Sequence, residues 1–264
     1  MFEYPKIDPV IIEIWGPLAI RWYGLMYLIG FVFCIYLLKK RAKQDAWRGW
    51  TSSQAEDMIF YGIFGVIIGG RLGSLLFYYT ADFFSNPLMF FNFAQGGMSF
   101  HGGLLGVIFM VWVYAKRHGR GFFATTDFLA PGVPLGLGFG RIGNFINGEL
   151  WGKPTDSWIG FKVNGQTLHA SQLYEAFFEG LVLFIILWWT SKKPTKIRFI
   201  SGLFLVFYGL FRFFIEFIRV PDSHIGYQMF GWVTRGQQLC FLMIVFGLYL
   251  LWSSRKQALN TVNN

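Results

Sequence analysis

Seven stretches of about twenty mostly apolar residues run through the 264-residue chain, and no other feature constrains its fold as strongly. Twenty helical residues, rising about 1.5 Å each, cross the roughly 30 Å hydrocarbon core of a bilayer. Runs such as LVLFIILWW are apolar without alternation, which indicates helices rather than the strands of a membrane barrel. The stretches are residues 17 to 38, 57 to 79, 97 to 115, 122 to 146, 171 to 190, 200 to 219 and 236 to 252. The sequence therefore predicts an all-α polytopic membrane protein with seven transmembrane helices.

Composition agrees with this class. Hydrophobic residues make up 54% of the chain and charged residues only 14%, against about 25% charged residues in soluble domains. The longest connection, residues 147 to 170, is too short to hold a soluble domain, so we expect a single integral-membrane domain over residues 1 to 264. Cys34 and Cys240 each lie inside an apolar run, which favours small core residues over a disulfide or a metal site. The first residues lack a basic segment and do not resemble a cleavable signal peptide.

Basic residues predict the orientation. Fourteen of the 23 Lys and Arg fall in the links after spans 1, 3 and 5 or in the C-terminal tail. The positive-inside rule then places the N-terminus outside and the C-terminus in the cytoplasm. The fourteen are Lys39, Lys40, Arg41, Lys43, Arg48, Lys116, Arg117, Arg120, Lys192, Lys193, Lys196, Arg198, Arg255 and Lys256. The net charge of +9 is therefore explained by topology and does not indicate nucleic-acid binding.

Ionisable residues inside the predicted spans are the functional candidates, because such groups are costly in a membrane unless they face a cavity or a partner. With the N-terminus outside, most of them fall toward the outer leaflet, and only Asp127 falls toward the inner side. A set chosen for structure alone would not be confined to one leaflet, so we expect a hydrated, cation-rich cavity that opens outward. Four arginines, Arg21, Arg71, Arg141 and Arg212, lie inside predicted spans, whereas Arg219 is the last residue of its span and counts with the outer side. Tyr23, His101, Glu175, Glu179 and Glu216 belong to the outer set.

Two spans carry the densest polar patterns. Tyr208, Arg212 and Glu216 follow at four-residue spacing and share one helical face. The planar fork of Arg212 suits a phosphate such as an anionic lipid headgroup, whereas Glu216 is equally explained as a structural ion-pair partner of Arg212. In span 4, Arg141 is followed closely by Asn144, Asn147 and Glu149 at the outer end.

Span 4 also contains a literal GxGxxG pattern from Gly138 to Gly143. A dinucleotide fingerprint needs a preceding strand and a βαβ unit, which a helical membrane span excludes. Two interpretations stay open: the glycines allow close helix contact, as Gly65, Gly69 and Gly73 would in span 2, or they break the helix so that backbone N–H groups face a ligand.

His101 stands between glycine pairs at the start of span 3. Ser99 beside it does not form a protease pair, because residues i and i+2 point to different faces of a helix and no acid completes a triad. The four histidines, at 101, 118, 169 and 224, lack ligand spacing, so we expect no metal and no other cofactor.

Five strings are specific enough to indicate a family. The chain resembles the prolipoprotein diacylglyceryl transferases of bacterial cytoplasmic membranes along nearly its whole length. It departs from many members in reading His169, Ala170 and Ser171 where they read HPS, and in a shorter outer loop from 153 to 168. The strings are WYGLMYLIGF (22 to 31), GGMSFHGG (96 to 103), GRIGNFINGELWG (140 to 152), SQLYEAFFEG (171 to 180) and YGLFRFFIEFIRVPD (208 to 222).

This resemblance implies an enzyme that moves the diacylglyceryl group of phosphatidylglycerol to the lipobox cysteine in the signal peptide of a preprolipoprotein. The products are a thioether and glycerol 1-phosphate, and the active site faces the periplasmic leaflet. Arg141 and Arg212 become the headgroup-binding arginines and His101 the important histidine. The remaining site residues that the resemblance implies are Tyr23, Asn144, Glu149, Gly152, Tyr208 and Glu216.

The chemistry assigns roles to these residues. Two arginines on one phosphate would stabilise the charge of the leaving group, while His101 would deprotonate the thiol and Tyr23 would orient it or relay the proton. The alternatives are a transporter or flippase for an anionic lipid, in which the arginines bind without catalysis, and a lipid-linked sugar transferase. The second would bring an acidic or metal-binding loop, which the sequence lacks.

Overall fold

The computed structural model describes residues 1–15, 18–92, 96–221 and 226–260, so His224, one of the four histidines, lies outside the described residues. The chain forms two compact units, Met1–Leu37 with Asp127–Asn264, and Leu38–Thr126. The boundaries between these two units fall within the helices Trp22–Gln44 and Phe122–Leu129. The described strands are β1 Phe2–Glu3, β2 Val10–Trp15, β3 Leu18–Arg21, β4 Phe161–Val163, β5 Gln166–Leu168, β6 Tyr227–Met229 and β7 Val233–Thr234. The described α-helices are α1 Trp22–Gln44, α2 Ser52–Tyr78, α3 Thr80–Ser85, α4 Phe100–Arg117, α5 Phe122–Leu129, α6 Val133–Ile146, α7 Ser171–Glu175, α8 Leu183–Thr190, α9 Phe199–Ile215 and α10 Arg235–Ser254.

In the unit Leu38–Thr126, glycines bring α2 and α4 into backbone contact. A Cβ atom on Gly65 would lie 2.7 Å from the carbonyl oxygen of Gly106, and one on Gly73 would lie 2.5 Å from Cα of Gly102. Only residues without a side chain permit this approach. The prediction that the four-residue glycine spacing of α2 allows close helix contact is therefore confirmed.

In the larger unit, α6 packs against a π-helical segment, Ala176–Val182, that joins α7 to α8. A Cβ atom on Gly138 would lie 3.1 Å from Cα of Gly180, so the glycines of α6 serve close packing. Helix α6 is continuous from Val133 to Ile146, and the alternative that its glycines break the helix is wrong. The interruption in predicted span 4 comes earlier, in a 3-10 turn at Ala130–Gly132 that contains Pro131.

Asp127 holds the start of α9. Its fully buried carboxylate accepts hydrogen bonds from the backbone N–H groups of Arg198 and Ser201 at 2.7 Å each, and from the Ser201 hydroxyl at 2.6 Å. A carboxylate at a helix N-terminus satisfies N–H groups that have no partner within the helix. Asp127 therefore positions the helix that carries Arg212.

The all-α prediction needs correction, because short strands form outside the helices. Strands β4 and β5 make an antiparallel hairpin whose turn residues, Asn164 and Gly165, have φ values of 48° and 83°. An Asn-Gly pair between two alternating segments is a strong hairpin signal, and the sequence carries it as FKVNGQTL. Backbone polar groups in such loops lie outside any helix and must pair with one another or with water.

The start of the first span also differs from prediction. Arg21 lies at the end of strand β3 and not in a helix, because Val10–Trp15 and Leu18–Arg21 pair as an antiparallel hairpin immediately before α1. The apolar residues of this hairpin extend the hydrophobic run toward the N-terminus, which is why the sequence predicted a span from residue 17.

Four helices in the described ranges are long and apolar enough to cross a membrane: Trp22–Gln44, Ser52–Tyr78, Ser171–Thr190 and Arg235–Ser254. Phe199–Ile215 is apolar but shorter. The protein is thus a mostly helical membrane protein, while the seven spans and their orientation stay predictions.

Candidate functional site

A buried carboxylate, Glu175, lies at the centre of a cluster of arginines in the larger unit. Its Oε1 accepts hydrogen bonds from Nη1 of Arg212 at 2.7 Å and from Nη1 of Arg219 at 2.5 Å. Its Oε2 lies 2.6 Å from Nε of Arg141, an ion pair whose geometry is not that of a hydrogen bond. One carboxylate thus joins α6, α9 and the segment that follows α9.

Two further carboxylates complete the cluster. Glu216 Oε2 lies 3.2 Å from Nε of Arg212 and 3.6 Å from Nε of Arg219. Glu179 Oε1 lies 3.8 Å from Nη1 of Arg212. The ion pair between Arg212 and Glu216 that the four-residue spacing predicted is confirmed.

The charged groups of the cluster differ in accessibility, and Glu216 and Arg219, at 9% and 13% exposed, are intermediate. The side chains of Glu175 and Glu179 are nearly inaccessible, with exposed fractions of 0% and 1%, whereas the side chains of Arg141 and Arg212 are 22% and 16% exposed. Among the described residues, neither terminal nitrogen of Arg141 donates a hydrogen bond, and Arg212 donates only through Nη1. The arginines therefore keep N–H donors on their accessible side, where a phosphate would find both charge and directed hydrogen bonds.

Glu216 sits at the beginning of α10. A Cβ atom on Gly236, in the first turn of that helix, would lie 2.6 Å from Oε1 of Glu216 and 2.7 Å from its Cδ. The carboxylate occupies space that only glycine leaves open, and it lies beside the positive end of the helix dipole. The helix is fixed there by a capping box in which Thr234 and Gln237 exchange hydrogen bonds.

The loop after α6 carries the predicted amide and acid groups. Asn144 and Asn147 both donate to Oε1 of Glu149, at 2.8 Å and 3.2 Å. The backbone turns sharply at Leu150, whose φ is 61°. A positive φ is strained for a residue other than glycine, so contacts with neighbouring residues must stabilise it. Buried Ser171 donates to the Leu150 carbonyl at 2.6 Å, and buried Gln172 donates to the Glu149 carbonyl at 2.9 Å. The SQ pair that opens α7 thus holds this loop in place.

Gly152 lies where three segments meet. Its N–H donates to the carbonyl of His169 at 2.8 Å, and it forms an antiparallel bridge with Arg219. A Cβ atom there would lie 2.8 Å from the carbonyl oxygen of Ile218. Burial lowers the pKa of His169, whose Nδ1 lies 3.2 Å from the hydroxyl of Tyr174.

Two predicted site residues of the larger unit are tyrosines, Tyr23 on α1 and Tyr208 on α9. Tyr23 packs on α6, since a Cβ atom on Gly143 would lie 3.0 Å from its Cδ2, and its hydroxyl lies 3.2 Å from that of Tyr27. Tyr208 lies one helical turn before Arg212 on α9. Of the nine predicted site residues, eight therefore belong to the larger unit: Tyr23, Arg141, Asn144, Glu149, Gly152, Tyr208, Arg212 and Glu216.

His101 belongs to the other unit, in the first turn of α4, and its side chain is exposed. Ser99 caps this helix by accepting a hydrogen bond from the Gly102 N–H at 3.2 Å, which explains the serine without a nucleophilic role. Arg71, which the sequence placed among the cavity cations, instead donates to backbone carbonyls of Met89 at 2.5 Å, Asn92 at 2.7 Å and also Gly96. Arg71 thus organises the segment that leads to α4.

The sequence analysis placed Glu175 and Glu179 in the outer set of ionisable residues without giving them a role, and it missed Arg219 as a member of the site. The two glutamates were visible as intramembrane acids at four-residue spacing, but Arg219 looked like an ordinary outer-loop cation. No group of three or more His, Cys, Asp or Glu side chains in the described part of the chain has the geometry to hold a metal ion.

Comparison with known proteins gives consistent matches. A family model described as prolipoprotein diacylglyceryl transferase matches residues 9–253. A phosphatidylglycerol–prolipoprotein diacylglyceryl transferase of Oleidesulfovibrio alaskensis is 53% identical over 259 residues, which cover 97% of this chain and 96% of that protein. The proteins with the same name from Nitratidesulfovibrio vulgaris and Pseudomonas paraeruginosa are 52% and 51% identical, each over 98% of both chains.

Proposed function

The chain belongs to the prolipoprotein diacylglyceryl transferase family, and from this premise we propose that it transfers the diacylglyceryl group of phosphatidylglycerol to the lipobox cysteine of preprolipoproteins. A sulfur–carbon bond forms at the glycerol carbon that carries the phosphate ester. The carbon–oxygen bond breaks, and glycerol 1-phosphate leaves.

The observation that carries this proposal is that Arg141 and Arg212 are partly exposed, while Glu175, the carboxylate that they share, is buried. Arg141 and Arg212 come from different helices, and both are oriented by Glu175 at 2.6 to 2.7 Å. A phosphate bound to their free N–H groups would be held by preorganised donors, which stabilise the charge that develops on the leaving oxygen. Asn144, Glu149, Gly152, Tyr208 and Glu216 would line or support this headgroup site.

The thiol must lose its proton, because a free cysteine has a pKa of about 8.5 and little thiolate at neutral pH. We assign His101 as the base and Tyr23 as the group that orients or relays, and these roles rest on the family's motifs GGMSFHGG and WYGLMYLIGF. The family match spans both compact units, which supports one catalytic domain over residues 1 to 264.

The proposed setting is the bacterial cytoplasmic membrane, with seven spans, an outside N-terminus and a cytoplasmic C-terminus. The clustering of basic residues in alternate links supports this orientation. The headgroup site would then open toward the periplasmic leaflet, where a lipobox cysteine arrives after translocation of the signal peptide.

A product assay tests the function. The purified protein, in vesicles that contain phosphatidylglycerol, should increase the mass of a lipobox peptide by one diacylglyceryl group. Vesicles of phosphatidylethanolamine alone serve as the control and should leave the peptide unchanged. Transbilayer movement of phosphatidylglycerol with an unchanged peptide mass would indicate a flippase instead.

A further inference from the structure

A groove lies between α2 and α4 on the surface of the smaller unit, Leu38–Thr126. Its volume is about 340 Å³, and ligand sites typically measure about 300 to 1,000 Å³. The residues that α2 contributes lie within seven positions of one another at helical spacing, and so do those that α4 contributes, so each set shares one helical face. The lining residues are Asp57, Phe60, Tyr61, Phe64, Met110, Val113 and Arg117.

One end of this groove is charged and the rest is apolar. Asp57 lies in the second turn of α2, and Arg117 is the last residue of α4. Phe60 and Phe64 follow Asp57 along α2, and both are exposed. A phospholipid has the same distribution, because its charged headgroup is continuous with apolar chains. In the proposed topology the charged end faces the cytoplasm, since it adjoins the basic links 39 to 48 and 116 to 120.

Both charges of the groove are accessible to a ligand. Asp57 is exposed, and no described residue forms a hydrogen bond or an ion pair with its carboxylate. An unpaired acid at the start of an apolar helix is costly unless it has a partner.

Arg117 is also exposed, and its Nη1 donates to the hydroxyl of Tyr61 at 3.2 Å. Tyr61 is held in turn by the buried Tyr114, whose ring centroid lies 5.2 Å from that of Tyr61. The Tyr114 hydroxyl donates to the carbonyl of Gln54 at 2.8 Å, which joins α4 to the first turn of α2. The guanidinium of Arg117 is therefore oriented, and it keeps N–H groups that donate to no described residue.

We propose that this groove binds one phospholipid whose headgroup has both a phosphate and a primary ammonium group, as in phosphatidylethanolamine. The phosphate accepts hydrogen bonds from Arg117 and from the Tyr61 hydroxyl, while the ammonium group donates to Asp57. An acyl chain packs on Phe60 and Phe64. In the proposed topology this lipid belongs to the cytoplasmic leaflet.

Charge complementarity selects this headgroup. The charges of Asp57 and Arg117 sum to zero, and so do the two charges of phosphatidylethanolamine. An anionic lipid such as phosphatidylglycerol would satisfy Arg117 but would leave the carboxylate of Asp57 without a cation. Lipid binding in this groove does not depend on the transfer reaction, because the groove belongs to the smaller unit and the arginine cluster to the larger one.

Native mass spectrometry of the full chain in detergent, titrated with one lipid at a time, tests this site. The wild-type protein should retain one phosphatidylethanolamine molecule. It should bind phosphatidylcholine at least about tenfold more weakly, because a quaternary ammonium group has the same charge but no N–H donor.

Asp57→Asn and Arg117→Gln should each weaken phosphatidylethanolamine binding by at least about tenfold, because each removes one of the two charge-assisted contacts. Asp82→Asn, which alters an exposed acid on α3 in the same unit, is the matched control and should bind this lipid as the wild type does. Equal wild-type affinity for the two lipids, or wild-type affinity in Asp57→Asn, would overturn the proposal.

A photoreactive lipid locates the site and needs no variant. Phosphatidylethanolamine with a diazirine in one acyl chain should crosslink to peptides that contain Phe64 or Met110, in the absence of a lipobox peptide. Unlabelled phosphatidylethanolamine should abolish these crosslinks, whereas the same concentration of phosphatidylglycerol should not. Crosslinks confined to other helices, or equal competition by the two lipids, would contradict the proposal. Failure of the wild-type product assay would refute the proposed function and leave this lipid site standing.

Discussion

The carboxylate of Glu175, which has no exposed surface, lies 2.6 Å from Nε of Arg141. Three guanidinium groups offset the desolvation cost of burying this carboxylate. The carboxylate in turn fixes the positions of the three arginines. The arginines need no substrate to become ordered, which is the preorganisation that electrostatic catalysis requires. Glu175 is therefore a positioning residue for the proposed phosphate site.

Glu175→Gln tests this role. Glutamine keeps the shape but leaves three neighbouring cations with one negative charge fewer, and removal of one partner from a buried ion pair costs about 3 to 5 kcal/mol. We expect a lower unfolding temperature in detergent and at least a tenfold loss of kcat. Glu56→Gln is the matched control, because the exposed pair between Lys39 and Glu56 contributes only about 0 to 1 kcal/mol. Equal behaviour of the two variants would remove Glu175 from the positioning role.

Gly236→Ala tests whether lipid binding depends on the position of the Glu216 carboxylate. The added methyl group would lie 2.6 Å from Oε1 of Glu216, so the carboxylate must leave the position in which it pairs with Arg212. We expect KM for phosphatidylglycerol to rise severalfold, measured by product mass. Gly136→Ala on α6 meets no atom within 4 Å and should leave KM unchanged. A Gly236→Ala enzyme with normal KM would show that the position of Glu216 does not matter for lipid binding.

His101→Gln tests the base. An imidazole that removes the thiol proton must itself be neutral, so the wild-type rate should rise with pH at the acid end of the profile. The variant should lose this limb and regain activity as the pH approaches the thiol pKa of about 8.5. His118→Gln, at the other end of α4, is the control and should keep the wild-type profile. Parallel profiles for wild type and His101→Gln would leave the arginines as the only activators of the thiol.

Cysteine labelling of intact cells tests the orientation. Asp82→Cys and Asp156→Cys should react with an impermeant maleimide, whereas Lys43→Cys and Lys193→Cys should be protected, and all four positions are exposed on the protein. The native Cys34 and Cys240 are buried, so background labelling should be low. Outward labelling at position 43 would reverse the proposed topology.

Sequence patterns predicted the helical membrane class, a close helix contact at the glycines of α2, and the pairing of Arg212 with Glu216, because each depends on local periodicity. They could not show that Glu175 unites Arg141 with Arg212 and Arg219, since those residues are brought together only by packing of α6, α7 and α9. For Arg71 the sequence predicted a functional role where the structure shows a structural one. An arginine inside a predicted span suggested a cavity, but its N–H groups donate to backbone carbonyls. The turn at Asn164 and Gly165 was readable from the sequence and was overlooked.

The most direct test of the phosphate site is diacylglyceryl transfer by Arg141→Lys and Arg212→Lys enzymes. Lysine keeps the positive charge but loses the planar fork of donors, and loss of one preorganised donor costs about 10²- to 10³-fold in kcat. We expect each variant to fall by at least that factor, with phosphatidylglycerol-containing vesicles and a lipobox peptide measured by mass. Full activity in both variants would contradict the account, because it would mean that diffuse positive charge is sufficient.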